Sequence, residues 1–155
     1  MFSADLPIEL LLVEDNPDDE ELTLRALREN RLANSIHVVR DGEEALEFLS
    51  CTGRYAALEP AKWSLKVILL DLKLPKVSGI EVLRHIKSDK RLRRVPVVVM
   101  TSSHEERDVV ETYDLGVNSY IVKPVLFEQF SESVRQVGMY WLLLNQPPVP
   151  ARTDT

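Results

Sequence analysis

Apolar and polar positions along this chain fall into two patterns, short unbroken apolar runs and longer stripes at spacings of three and four. Ile8–Val13 is an apolar run broken only by Glu9, and it stops at Glu14-Asp15-Asn16-Pro17. A run that short, with acids at its end, reads as a buried strand. Asn16 suits an N-cap, and Pro17 suits the first helical position, where its missing N–H costs nothing. A helix is predicted from about Pro17 to Asn30, with Leu22, Ala26 and Leu27 inward. Ile36–Val39 is a second strand, and Asp41-Gly42-Glu43-Glu44 has the spacing of a capping box. That box opens a helix with Ala45, Leu46 and Leu49 inward. Residues 50–65, with Gly53 and Pro60, read as an extended connection. Val67–Leu70 is a third strand ended by Asp71, and Pro75 and Gly79 mark a loop before the stripe Ile80, Leu83, Ile86. Val95–Met100 is a fourth strand, with Pro96 tolerable near its start. Thr101-Ser102-Ser103 and a polar helix ending near Gly116, a natural C-cap, follow. Ser119–Val122 is a fifth strand closed by Lys123-Pro124, and a last helix starts near Leu126.

Five strands interleaved with five helices argue for an α/β fold, a doubly wound parallel sheet covered on both faces. The flavodoxin-like (βα)5 arrangement with strand order 2-1-3-4-5 is the expected topology. Composition agrees: 155 residues make about one domain, and 45% apolar with 28% charged residues is a globular balance. Nineteen basic against twenty-five acidic residues leave a net charge of −6. That balance argues against a dedicated nucleic-acid binder, which needs a basic face. The single cysteine, Cys51, cannot form an internal disulfide, and nothing basic beside it in the sequence argues for reactivity. The N-terminus lacks a basic n-region, and no apolar run approaches the ~20 residues of a membrane span. A cytoplasmic protein with no membrane attachment is expected. His37, His85 and His104 are too scattered for a metal or a catalytic triad. Asp15 to Glu21 lacks the spacing and central glycine of an EF-hand, and Asp18 to Glu21 reads as a solvated first helical turn.

In an open α/β sheet, ligands bind outside the carboxyl ends of the strands. Here the first strand ends in Glu14-Asp15, the third in Asp71, the fourth in Thr101 and the fifth in Lys123. One rim therefore receives three carboxylates, a hydroxyl and an ammonium. Taken singly, each has an ordinary structural role: acids near a helix start complement its dipole, a threonine caps, a lysine is solvated. At matching strand ends they point together to a site. Three carboxylates in contact repel, so either one holds a proton or a cation lies between them. Oxygen ligands from few side chains, with room for water and phosphate, suit Mg2+ better than Zn2+ or Ca2+. A lysine and a threonine across from that cation complete a cage for a phosphoryl group, whose transfer needs mostly positioning and charge neutralisation. Neither G-x-x-x-x-G-K-[ST] nor G-x-G-x-x-G is present among only five glycines. A protein carboxylate as the phosphate acceptor is the economical solution.

The set Leu12-Val13-Glu14-Asp15-Asn16, Leu69-Leu70-Asp71-Leu72-Lys73-Leu74-Pro75, Gly79, Val99-Met100-Thr101 and Tyr120-Ile121-Val122-Lys123-Pro124 resembles the receiver domain of two-component response regulators. The likeness runs over roughly residues 8 to 140. The long connection before the third strand and the Trp141-Leu142-Leu143-Leu144 end resemble the subfamily of the cyanobacterial phytochrome response regulator. The resemblance implies that Asp71 is the phosphoacceptor, attacking a phosphohistidine of a sensor kinase. It implies Mg2+ held by Asp15 directly, by Glu14 mostly through water, by Asp71, and by the backbone carbonyl of Lys73. Thr101 would hydrogen-bond the phosphoryl group and Lys123 would pair with it. Lys123-Pro124 is expected to be a cis peptide. Tyr120 would be an aromatic switch, turning inward as Thr101 moves toward the phosphate. Lys73 departs from the commoner uncharged residue, and its ammonium is expected to reach Glu14 or the phosphoryl oxygens and change the lifetime of the aspartyl phosphate.

Residues 1–145 are expected to form the receiver domain and residues 146–155 a flexible Pro-rich tail, with no output domain in the thirty-two residues after Lys123. The signal must then leave through binding. Phe127, Phe130, Val134, Val137 and Trp141 make a core-facing stripe, and Met139, Tyr140, Leu142, Leu143 and Leu144 widen it beyond what one core covers. The subfamily likeness suggests a homodimer through the fourth helix, fifth strand and fifth helix, with Tyr140, Trp141, Leu143 and Leu144 as candidate contacts. The alternative is that the tail packs back on its own domain. The expected partners are a sensor histidine kinase, phytochrome-like by the same likeness, and a second copy of the chain. Two other functions compete. One is an interaction module that is never phosphorylated, against which the complete acidic set and Lys123 count. The other is a small hydrolase working through an aspartyl phosphate; it needs a second Asp two residues after its nucleophile, where Lys73 stands.

Overall fold

The computed structural model describes residues 8–30, 35–58, 63–102, 105–123 and 127–138. The elements in chain order are β1 (Ile8–Val13), α1 (Pro17–Glu29), β2 (Ile36–Val39), α2 (Gly42–Ser50), β3 (Trp63–Leu70), α3 (Gly79–Ser88), β4 (Val97–Thr101), α4 (Glu106–Asp114), β5 (Ser119–Val122) and α5 (Phe127–Gly138). A short 3-10 turn, Gly53–Tyr55, lies between α2 and β3. The strands form one parallel sheet in the order β2-β1-β3-β4-β5, the expected topology.

Alternation along the strands divides the core into two layers. Leu11, Val13, Ile68, Leu70, Val97 and Val99 pack with Phe48 and Leu49 of α2 and Val82, Leu83 and Ile86 of α3. Leu10, Leu12, Val67, Leu69, Val98 and Met100 face the other way, onto Ala26 and Leu27 of α1. Helix α5 lies against α1.

The cap signals operate as expected, with one rearrangement. Asn16 Oδ1 accepts the N–H groups of Asp18 and Asp19 at 2.9 and 3.1 Å, and Asp41 Oδ1 accepts the N–H of Glu44 at 2.7 Å. Glu44 does not reach back to Asp41. Its Oε1 takes the N–H of Arg40 at 2.9 Å and its Oε2 the hydroxyl of Tyr55 at 2.6 Å. Cys51 is the left-handed C-cap of α2, and burial raises its thiol pKa above the ordinary value.

Three other expectations shift. Strand β3 begins at Trp63, four residues before Val67, because Trp63 pairs with Ile8 across an irregular step in the register. Strand β4 begins at Val97, not Val95: Pro96 has no N–H to give the ladder, and only its carbonyl takes part, accepting from Ile68 at 2.9 Å. Phe48 is wholly buried although the expected stripe omitted it, since its ring stacks on His37 and meets Tyr55 edge-on.

The loop after β3 is held by two close backbone approaches. A Cβ on Gly79 would lie 2.2 Å from the Asp71 carbonyl oxygen and 2.5 Å from Leu72 Cα, and one on Gly42 would lie 1.8 Å from the Val77 carbonyl oxygen. Both neighbours are backbone and cannot turn aside. Gly79→Ala is therefore expected to cost about 2 kcal/mol or more, as overpacking of a tight contact does. Urea denaturation checks this; a midpoint unchanged from the wild type would contradict it.

Candidate functional site

The register brings the chemistry to one end of the sheet. Val13 pairs with Leu70, Leu70 with Val99, and Val99 with Tyr120. Glu14 is one residue past that row, Asp71 one, Thr101 two and Lys123 three, a staircase rising toward β5. Main-chain bonds fix the steps: Glu14 N–H donates to Val39 O at 3.0 Å, Asp71 N–H to Val13 O at 3.1 Å, and Lys123 N–H to Thr101 O at 2.8 Å.

From its step Lys123 reaches back across the end of β4. Its Nζ lies 2.5 Å from Glu14 Oε1, 2.9 Å from Asp71 Oδ2 and 2.9 Å from Asp19 Oδ2. The Lys123 side chain is 9% exposed, Glu14 3% and Asp71 8%. Asp71 Oδ1 accepts the N–H of Lys73 at 3.1 Å. Glu14, Asp15 and Asp71 each offer an oxygen, all within 4.8 Å of one another. Thr101 is fully buried. Tyr120 is half-buried against the layer under α2 and α3.

Burial and charge divide the carboxylates. Burial pushes Glu14 up to about 8; the negative charge of Asp71 adds to this, and the hydrogen bond and charge of Lys123 oppose it without prevailing. Burial pushes Asp71 up too, but the charge and hydrogen bond of Lys123, with Glu14 and the Lys73 N–H, hold it below its ordinary value. Burial lowers Lys123, and its bonds to Glu14, Asp71 and Asp19 raise it further than burial lowers it. Near neutral pH, without a metal, the proton therefore resides on Glu14. Asp71 stays ionised and Lys123 stays charged, the state in which a carboxylate is a nucleophile.

The residue pattern of the family matches along the whole of this rim: the model of the response regulator receiver domain covers residues 10–135. The chain belongs to the response regulator receiver domain family. Among relatives of this receiver, the probable methanogenesis regulatory protein FilR2 of Methanothrix harundinacea is 40% identical over 97% of the chain and 94% of FilR2. Response regulator Rcp1 of Synechocystis sp. is 38% identical over 88% of the chain and 90% of Rcp1. The crystal structure of the phosphorylated cyanobacterial phytochrome response regulator RcpA matches the receiver with a TM-score of 0.83 and 40% identity, covering 92% of the chain and 99% of RcpA. The Mn2+-bound form of Rcp1 matches with a TM-score of 0.82.

Glu14, Asp15, Asp71 and Lys123, expected in the receiver from strand ends, come together. Two expectations are corrected. The cation on Glu14 is Lys123, whereas Lys73 is exposed and makes no ion pair among the described residues, contributing its N–H to Asp71 instead. Asp19, expected in a solvated turn, is a direct partner of Lys123. No local signal marks it, since it is one of three acids in the first turn of α1. The Lys123-Pro124 peptide expected to be cis, and Tyr140, Trp141, Leu143 and Leu144, lie outside the described residues.

Proposed function

We propose that this receiver accepts a phosphoryl group on Asp71 from the phosphohistidine of a sensor histidine kinase in the cytoplasm and signals by changing its protein-binding surface. One observation carries the reading. A buried ammonium holds Asp71 ionised at the carboxyl end of β3, beside two further carboxylates placed for a cation. The Asp71 oxygen would form a bond to phosphorus as the P–N bond to histidine breaks, and the imidazole nitrogen would keep the electron pair. The chain would catalyse only this transfer onto itself and the later hydrolysis of its own aspartyl phosphate. Thr101 and Lys123 would contact the phosphoryl oxygens. Tyr120 would report the change to the surface. The subfamily likeness, with RcpA named a phytochrome response regulator, favours a phytochrome-like kinase.

The donor set fits Mg2+. Three carboxylates, each with an oxygen within 4.8 Å of the others, make the all-oxygen donor set that such a hard cation takes. Glu14, Asp15, Asp71 and the Lys73 carbonyl would hold it, and when bound it supplies charge neutralisation for the phosphoryl group. The Mn2+-bound form of Rcp1 supports the same reading. Glu14 must give up its proton to serve as a ligand, so metal affinity should rise with pH until it levels above about 8. The sign for stability is opposite. Glu14 ordinarily titrates at 4.5, so what its raised pKa contributes is complete below that value and lost as pH rises through about 8. Metal titrations and melting curves between pH 5 and 9 check both; an affinity flat across that range would contradict them.

Transfer of label from an autophosphorylated phytochrome-type kinase to the chain tests the function. Transfer within minutes is expected; none from any phosphohistidine donor would favour the unphosphorylated interaction module. For the second copy of the chain, support comes from Val110 and Tyr113 on α4 and Val122 on β5, large apolar side chains 52%, 53% and 43% exposed. Phosphorylation is expected to shift elution toward a dimer. An identical elution volume in both states, at monomer mass, would remove the homodimer.

A further inference from the structure

Asp19 is a partner of Lys123 to which the proposed chemistry gives no task. It stands third in α1, after the N-cap Asn16. An acid at that place ordinarily folds back and accepts the N–H of the N-cap residue. Here that N–H goes to Glu14 Oε2 at 3.3 Å, and Asn16 Oδ1 already serves the N–H groups of Asp18 and Asp19. Relieved of capping, the Asp19 carboxylate reaches 2.9 Å to Lys123 Nζ, a partner 104 positions away in the chain.

An ammonium has three N–H donors. Those of Lys123 are taken by Glu14 at 2.5 Å, Asp71 at 2.9 Å and Asp19 at 2.9 Å. To donate to a phosphoryl oxygen, Lys123 must give one up. Glu14 and Asp71 are buried, whereas Asp19 is 32% exposed, so its bond is the one of the three that solvent can most readily replace. We propose that Asp19 is a positioning residue that holds the third donor of Lys123 in the unphosphorylated protein and yields it to the phosphoryl group. The inference rests on the reading of Asp71 as acceptor. Phosphorylation then carries the cost of breaking the Asp19–Lys123 bond, and Asp19 restrains uptake until a donor competes for the ammonium.

The test uses acetyl phosphate with Mg2+ on the full chain. The Asp71 oxygen bonds to phosphorus, the bond from phosphorus to the acetyl oxygen breaks, and acetate leaves with the electron pair. Asp19→Ala is compared with Asp18→Ala, which removes the same charge from an exposed position on the same turn. Asp19→Asn keeps the side-chain shape and a weaker, uncharged acceptor, so it should give the same sign at smaller size if alanine disturbs α1. Rates across donor concentrations separate two effects. Loss of an anion from this turn lowers the apparent KM for the anionic donor in every variant. Release of Lys123 raises the saturating rate in the Asp19 variants alone, by about fivefold in Asp19→Ala, the effect of one hydrogen bond, and by less in Asp19→Asn. The 15N NMR signal of the Lys123 ammonium in unphosphorylated protein should move in the Asp19 variants and stay in Asp18→Ala. Phosphate on the wild type with a saturating rate in Asp19→Ala equal to or below it overturns this proposal alone. No phosphate on the wild type overturns the Asp71 reading and this one with it.

Discussion

Asp71→Asn is expected to reduce phosphoryl uptake to background while leaving the fold in place. The substitution replaces an ionised oxygen by an amide of the same shape, so the nucleophile is lost without a cavity. The Lys73 N–H keeps an acceptor in the new side chain, and Lys123 keeps Glu14 and Asp19. Glu14 should respond. The charge and the hydrogen bond of Asp71 both raise its pKa, so its titration moves down toward 4.5 in the variant. Two readings check this: labelled phosphate bound after acid quench, and a 13C NMR titration of Glu14. Uptake by Asp71→Asn at the wild-type level would place the acceptor elsewhere in the chain.

Lys123→Met is expected to have the largest effect on stability. The ammonium is the only cation shown on the Glu14 and Asp71 side chains among the described residues, and all three groups are buried. Removing one partner of a buried ion pair leaves the other uncompensated, which costs about 3 to 5 kcal/mol. Glu14 can hold a proton here, so roughly 3 kcal/mol at pH 7 is expected, less toward pH 5 and more toward pH 8. A divalent cation offers the same carboxylates a substitute. Saturating Mg2+ should therefore raise the melting temperature of Lys123→Met more than that of the wild type. Chemical denaturation with and without Mg2+ at both pH values decides it. A variant as stable as the wild type without metal would mean that the lysine does not organise the carboxylates.

The local pattern was enough for elements whose limits are set by neighbouring residues. Strands β1, β2 and β5 coincide with their apolar runs because Asn16, Asp41 and Lys123 close them nearby. It was insufficient where pairing at a distance decides. Trp63-Ser64-Leu65-Lys66 mixes polar with apolar positions and reads as connection, yet β1 offers it a partner strand. Phe48 owes its burial to His37 on β2 and Tyr55 in the 3-10 turn, neither adjacent in sequence. The site divides in the same way. Glu14, Asp15, Asp71, Thr101 and Lys123 could be read from strand ends, since a parallel sheet sends every strand's carboxyl end to one rim. Asp19 could not, because a carboxylate in an acidic first turn looks alike whether it faces water or a lysine from the far end of the chain. The ordering of the two titrations was also hidden: burial falls on both Glu14 and Asp71, and only the arrangement around Lys123 makes one rise and the other fall.

The most direct measurement is the intact mass of the wild type after incubation with acetyl phosphate, with Mg2+ and with chelator. The acidic rim organised by Lys123 predicts a gain of one phosphoryl group in Mg2+, labile to hydroxylamine as an acyl phosphate is, and none in chelator. No gain in Mg2+, under conditions that label another receiver, would contradict the account. So would a gain that is indifferent to the metal.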